Sequence, residues 1–220
     1  MTRRFARCFL PLGLLTLLAL SATAQETGIL DQVQSASSSL TAYTATIQMT
    51  QHKGRTQSTI SFSFDFVPPD RMRIVYTDPA SVKGQTMILN ADKFYTYLPS
   101  LNRRVWQDVK NGGSDQGKEM GFLYDFVTRG AETFIATHPV TVASQTSSTT
   151  LTATRQTVET VELEFVLPNG KQVVRVNAAD GAPVSVDIYQ GETLSMEIRV
   201  LGYTMNGSID NALFQIPAKG

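Results

Sequence analysis

Cysteine is almost missing from this sequence: Cys8 is the only one among 220 residues. It lies ahead of an N-terminal apolar run, so removal of that run leaves no thiol at all. Disulfides, thiolate catalysis and cysteine-held metals are thereby excluded. Histidine is nearly as scarce. His52 and His138 stand far apart, neither with a second ligand at metal-binding spacing, so no metal site is assigned. Charge of one sign is lacking too, with 19 Lys+Arg against 19 Asp+Glu. Nucleic acid needs a basic footprint, and none is offered. There is no G-x-S-x-G elbow and no glycine-rich phosphate loop. Asn111-Gly112-Gly113-Ser114 lacks the Lys-Ser/Thr continuation and reads as a hinge. No catalytic residue and no cofactor is therefore expected, and the chain is not read as an enzyme.

Long apolar runs are confined to the beginning. Arg3, Arg4 and Arg7 precede the run Phe9 to Leu20, and Ala22-Thr23-Ala24 follows before Gln25. That order is a secretory signal with a small-residue cleavage site. The run is shorter than the roughly 20 residues a membrane span needs. Residues 1–24 are thus expected to be a signal peptide, cut near Ala24–Gln25, and residues 25–220 a single exported domain. Losing the three arginines leaves 16 basic against 19 acidic residues.

What the remainder has in abundance is alternation. Gly28 to Leu40 keeps a helical period through Ile29, Leu30, Val33, Ala36 and Leu40. Strands follow: Tyr43, Ala45, Ile47 and Met49 alternate with polar residues, then Ile60, Phe62, Phe64 and Phe66, with Gly54 at the turn between them. Beyond Pro68-Pro69-Asp70 come strands over 72–77, 86–89, 93–98 and 103–107. A helix is expected over Gly117 to Arg129. Strands resume over 134–137, 140–144, 149–154, 158–167, 172–177, 183–189 and 194–203. Asn169-Gly170 and Gln190-Gly191 are hairpin signals, and the Ser/Thr-rich stretch 145–157 is a strand edge or a loop. The sum is a mainly β fold: one curved antiparallel sheet of about eleven strands. Its free edges and apolar face must be closed into a barrel or covered by helices. Glu162 and Glu164 oppose Val161, Leu163 and Phe165 in parity and mark a solvated outer face.

Candidate binding residues come from the first half. Ile60, Phe62, Phe64, Phe66, Met72, Ile74, Tyr76, Met87 and Leu89 alternate within their runs, and Tyr95 and Trp106 add polar-tipped aromatics. Such rows usually make a core. They also make adaptable walls for a flexible apolar guest. Met120, Phe122, Leu123 and Phe126, on the helix after the glycine hinge, would form the matching lid face.

Five stretches resemble one known family, the periplasmic carriers and sorting proteins of outer-membrane lipoproteins (LolA-like proteins). They are TATIQMTQHKG (44–54), FDFVPPDRMRIVY (64–76), ILNADKFYTYLPSLNRRVW (88–106), NGKQVVRVNAADGAPVSVDIYQGETLSMEIRV (169–200) and IDNALFQIP (209–217). The resemblance implies an unclosed β-barrel with an apolar concave face under a helical lid. It also implies acyl chains of lipoproteins or other lipid as cargo, an inner-membrane donor and an outer-membrane acceptor. Carriers have an arginine immediately before the proline of the corner, holding the lid. Here Pro68 takes that place, and Arg71 and Arg73 stand nearby but not at the matching position. The same fold serves as an envelope-stress regulatory module, which is the alternative function; a β-domain with a solid core is the third.

Overall fold

The computed structural model describes residues 28–108, 135 and 138–218. A helix, α1, covers 28–38. Six strands follow: β1 (Tyr43–Lys53), β2 (Thr56–Val67), β3 (Arg71–Asp78), β4 (Thr86–Asn90), β5 (Lys93–Leu98) and β6 (Arg103–Asp108). Five more are β7 (Val140–Leu151), β8 (Gln156–Leu167), β9 (Gly170–Asn177), β10 (Pro183–Gln190) and β11 (Thr193–Met205). All eleven form one sheet in the order β6-β5-β4-β3-β2-β1-β11-β10-β9-β8-β7, and every pairing is antiparallel. Among the described residues the end strands β6 and β7 do not pair with each other, and the sheet is not closed into a barrel, as the family resemblance implied.

Alternation decides the two faces. On β1, Tyr43, Ala45, Ile47 and Met49 are buried while Thr46 is exposed. Their partners on β2 are Phe66, Phe64, Phe62 and Ile60, so the apolar sets of both strands meet on one side. Register slips bend the sheet at Thr46/Ile47, Ser61/Phe62, Val142/Thr146, Pro183/Ser185 and Ile188/Tyr189. The bending brings both halves into one apolar cluster that holds Phe62 and Phe64 together with Leu163, Val174 and Val200. Helix α1 lies on the same side. Its Ile29 and Val33, one turn apart, belong to that cluster. Gly181, in the β9–β10 turn, has φ of 73°, and a Cβ there would come within 3.1 Å of Gln32 O and Val33 Cα. Only glycine lets the turn and the helix approach this closely.

Some expected boundaries shift. The two strands read over 140–144 and 149–154 are one strand, β7, which ends at Leu151 before a turn at 152–155. Its polar middle is held by cross-strand hydroxyl pairs, Ser147 Oγ with Thr160 Oγ1 at 2.8 Å and Thr150 Oγ1 with Thr157 Oγ1 at 3.2 Å. Of the strand expected over 134–137 only Ile135 is described, and it is helical. The helix expected over 117–129 lies outside the described residues.

Candidate functional site

The inner face of β1–β5 is built of rings and thioethers. Phe62, Phe64, Phe66 and Ile74 have no measurable exposure, and Met72, Met87 and Leu89 are nearly as buried. Cross-strand register sets Phe62 opposite Tyr76, Phe64 opposite Ile74 and Phe66 opposite Met72; Met72 in turn faces Leu89, and Ile74 faces Met87. Ile60 and Tyr76 are half-buried at the margin and touch the same cluster. Phe64 and Phe66 stack at 6.3 Å between centroids, Tyr43 meets Phe64 edge-on at 6.2 Å, and Phe62 tilts against Tyr76 at 5.8 Å. Each such pair contributes about 0.5–1.5 kcal/mol beyond its buried area. The Tyr76 hydroxyl points to Met87 Sδ at 3.7 Å.

Nine of the eleven sequence-assigned residues therefore share one surface. Tyr95 and Trp106 do not. Leu89 pairs with Phe94 and Met87 with Thr96, which leaves Tyr95, opposite Ile88 and Trp106, on the outer face. There Tyr95 tilts on Trp106 at 5.5 Å, and the indole N–H donates to Pro217 O at 3.0 Å. Phe94, which sequence reasoning left out, takes the inner position. Parity failed at β5 because both faces of this part of the sheet are covered. The outer cover is the C-terminal segment. Asp210 caps a short 3-10 turn, Asn211–Phe214, by accepting from Ala212 N–H at 2.9 Å. Phe214 is buried, its carbonyl accepts from Asn90 Nδ2 at 3.0 Å, and the Arg71 guanidinium lies 5.7 Å from its ring centre.

Arg71 also donates to Asn211 Oδ1, while Arg73 is paired with Asp65 at 3.1 Å. Both arginines lie on the outer face, because their neighbour Met72 is inward. Neither faces the inner surface that a lid would cover. Further round the outer face, ion pairs run across five strands. Glu162 and Asp187 both hold Arg175 (2.8 and 2.9 Å), Arg199 joins Asp187 to Glu197, and Glu197 meets His52 at 2.9 Å. Glu164 pairs with Lys171 at 2.8 Å. The carboxylates read as an outer face are there, each with a cation. Among the described residues, no group of three or more His, Asp or Glu is placed to hold a metal.

Among the described residues, two openings lie at the margins of the inner face. One, of about 470 Å³, lies between α1 and β7 and is bordered by Leu30, Gln34, Ile135, Val140 and Val142. The other, of about 820 Å³, wraps the β4–β5 turn between Asn90, Phe94, Gln107 and Pro217. Both fall within the volume range of small-molecule sites, about 300–1,000 Å³. Polar groups inside the apolar layer are few. The Tyr43 hydroxyl is buried without a hydrogen-bond partner, and burial, with Tyr203 and Asp180 nearby, pushes its pKa far up. Its ring stacks on Tyr203 at 6.0 Å. The Tyr203 hydroxyl donates to Asp180 Oδ2 at 2.8 Å and accepts from Asn177 Nδ2 at 2.6 Å. Burial raises Tyr203 to about 12; the Asn177 donor works against that shift and the Asp180 carboxylate adds to it. The second unmatched group is the amide nitrogen of Gln172. The lid residues Met120, Phe122, Leu123 and Phe126 lie outside the described residues.

No family model and no curated protein sequence matches the chain. Solved structures do. An uncharacterised conserved protein from Thermus thermophilus aligns over 89% of this chain and 94% of its own, at TM-score 0.55 and 14% identity. MucB of Pseudomonas aeruginosa, solved with MucA, aligns over 89% of this chain and 61% of its own, at TM-score 0.51 and 10% identity. An outer membrane lipoprotein-sorting protein domain from Vibrio parahaemolyticus matches over 86% of this chain and 97% of its own, at TM-score 0.45 and 16% identity. At such identities a likeness speaks for the fold alone. What the chain shares with the Thermus thermophilus protein and with MucB is that fold, a large antiparallel sheet not closed into a barrel.

Proposed function

We propose that this protein binds lipid, the acyl chains of lipoproteins or of other lipids, on its inner apolar face. It acts outside the cytoplasm, in the periplasm, and moves its cargo toward the outer membrane. The observation that carries this reading is the open sheet with one continuous apolar face, closed by α1 and not by its own edges. The Phe and Met side chains adapt to a flexible chain without demanding fixed geometry. Each buried methylene of a guest contributes about 0.8 kcal/mol, so ten supply roughly 8 kcal/mol before ordering costs. That suffices for binding without catalysis. Ile60, Phe62, Phe64, Phe66, Met72, Ile74, Tyr76, Met87 and Leu89 are the proposed wall, and the spacing of Met120, Phe122, Leu123 and Phe126 assigns those four to the lid. An inner-membrane donor and an outer-membrane acceptor belong to the same reading.

The test is organic extraction of protein purified from the exported fraction, followed by mass spectrometry. Lipid is expected near one equivalent. Absence of lipid, together with no binding of a fluorescent acyl probe, overturns the reading. Ile60→Arg, a change at the margin of the face, should weaken probe binding while the far-ultraviolet spectrum stays that of a sheet.

The likeness to MucB, solved in complex with MucA, favours a second reading: an envelope regulatory module whose ligand-bearing face answers to a protein partner. The chain spans 61% of MucB. Lipid-free protein that cross-links to one protein partner in the cell envelope would favour it.

A further inference from the structure

Gln172 on β9 is 1% exposed, and its amide nitrogen has no hydrogen-bond partner. Register fixes the face it occupies. It stands opposite Phe165 of β8 and Ile188 of β10, two residues from Val174. Phe165 and Val174 belong to the inner cluster, and Ile188 packs on it. The amide therefore interrupts an otherwise apolar row that runs Val140, Phe165, Gln172, Ile188, Met196. Leucine or methionine would fill this place without leaving a donor unmatched, and an unmatched buried donor is destabilising. Tyr43 offers the contrast. Its hydroxyl is also unmatched, but its ring repays burial through Tyr203 and Phe64. Gln172 has no ring, and its terminal group offers only hydrogen bonds.

We propose that Gln172 is the polar anchor of the inner face: its amide N–H donates to a neutral carbonyl oxygen, that of an ester or amide at the head of an acyl chain. The inference rests on the lipid-binding reading and narrows it. The unmatched atom is a donor, so its partner is an acceptor. A free carboxylate is disfavoured because no cation shares the row. The cations of β9 face outward and are taken, Lys171 by Glu164 and Arg175 by Glu162 and Asp187. An anion brought here would lose its water without a countercharge. The cleft between α1 and β7 is bordered by Val140, which begins the same row two strands away.

The experiment compares three probes on the exported full-length chain: pyrene-dodecanoic acid, its methyl ester, and dodecylpyrene, a hydrocarbon of like size. Wild type is expected to bind the ester about tenfold more tightly than the hydrocarbon, the worth of one net hydrogen bond. The free acid should trail the ester. Gln172→Leu should erase the ester's advantage, keep hydrocarbon binding within about twofold, and melt at or above the wild-type temperature. Gln172→Met repeats the test with a straight chain should the leucine variant fail to fold. Equal binding of ester and hydrocarbon by wild type, or a preference that survives both substitutions, overturns the anchor and leaves lipid binding intact. Tighter binding of the acid than the ester overturns the choice of a neutral carbonyl. A wild type that binds none of the three overturns the lipid reading and the anchor with it.

Discussion

Strands β1–β5 build their share of the inner face from Phe62, Phe64, Phe66, Met72, Ile74 and Met87. Strands β8–β11 build theirs from Val161, Leu163, Val174, Val176, Val186 and Ile198. The first set is large and adaptable; the second is mostly β-branched, stiff and shallow. The outer faces differ as well. Behind the aromatic half lies the C-terminal segment with Phe214, so that part of the sheet is covered on both sides. Behind the valine half lies a chain of ion pairs centred on Asp187. One half is thus fixed by apolar packing on two faces. The other is fixed by apolar packing within and by charge without.

The largest expected effect breaks the first half. Phe64→Ala removes a fully buried ring with two aromatic neighbours and should cost about 3–5 kcal/mol in chemical denaturation. Val174→Ala, equally buried, should cost about 2 kcal/mol, since far less volume leaves. Equal losses would end the distinction between the halves.

The next effect strikes the cover. Phe214→Ala should cost about 3 kcal/mol and release the C-terminal segment from Asn90 and Trp106. Trp106 is the sole tryptophan, so its emission should move to longer wavelength before global unfolding. Unchanged emission would mean the segment holds without its ring.

A smaller effect belongs to the ion pairs. Asp187→Asn leaves Arg175 and Arg199 without their shared carboxylate, which is itself only 8% exposed. About 1–3 kcal/mol should be lost, discounted from a fully buried pair because both arginines reach solvent. Added salt should narrow the gap between variant and wild type. A gap indifferent to salt would assign the loss to packing.

The smallest is an alkaline effect. The folded Tyr203 pKa lies near 12, above its unfolded value near 10, so the folded state holds its proton more tightly. That contribution is complete below about pH 10 and is lost as pH rises toward about 12. Tyr203→Phe keeps the ring on Tyr43 and should flatten the decline of stability across that window. Parallel curves for variant and wild type would remove Tyr203 from the account.

Much of this was legible from alternation alone. The β1–β2 hairpin, its inward aromatic residues and the outward Glu162 and Glu164 follow from a period of two. Tyr95 and Trp106 were misplaced because β5 carries apolar residues on both faces, Phe94 inward and Tyr95 outward, and parity then has no polar side to fix it. The continuous β7 was missed because its hydroxyl-rich middle has the composition of a loop, although cross-strand hydroxyls hold it as a strand. Gln172 was visible in principle, since it shares parity with Val174 and Val176. A polar residue at an inward position is the signal. What the sequence could not tell is that nothing answers its amide.

Nine of the ten strand pairings among the described residues join neighbours in the chain, and the tenth joins β1 to β11. That seam closes a loop from Tyr43 to Met205, nearly the whole described length. Each meander can nucleate from local hairpins within microseconds, but the seam waits for the last strand and carries the entropy of the long loop. As the chain emerges from its N-terminus, the aromatic meander forms first. Until β11 arrives, β1 presents an unpaired edge flanked by Phe62 and Phe64, the kind of surface on which chains stick to one another. Aggregation risk before the seam closes is therefore concentrated in the aromatic half.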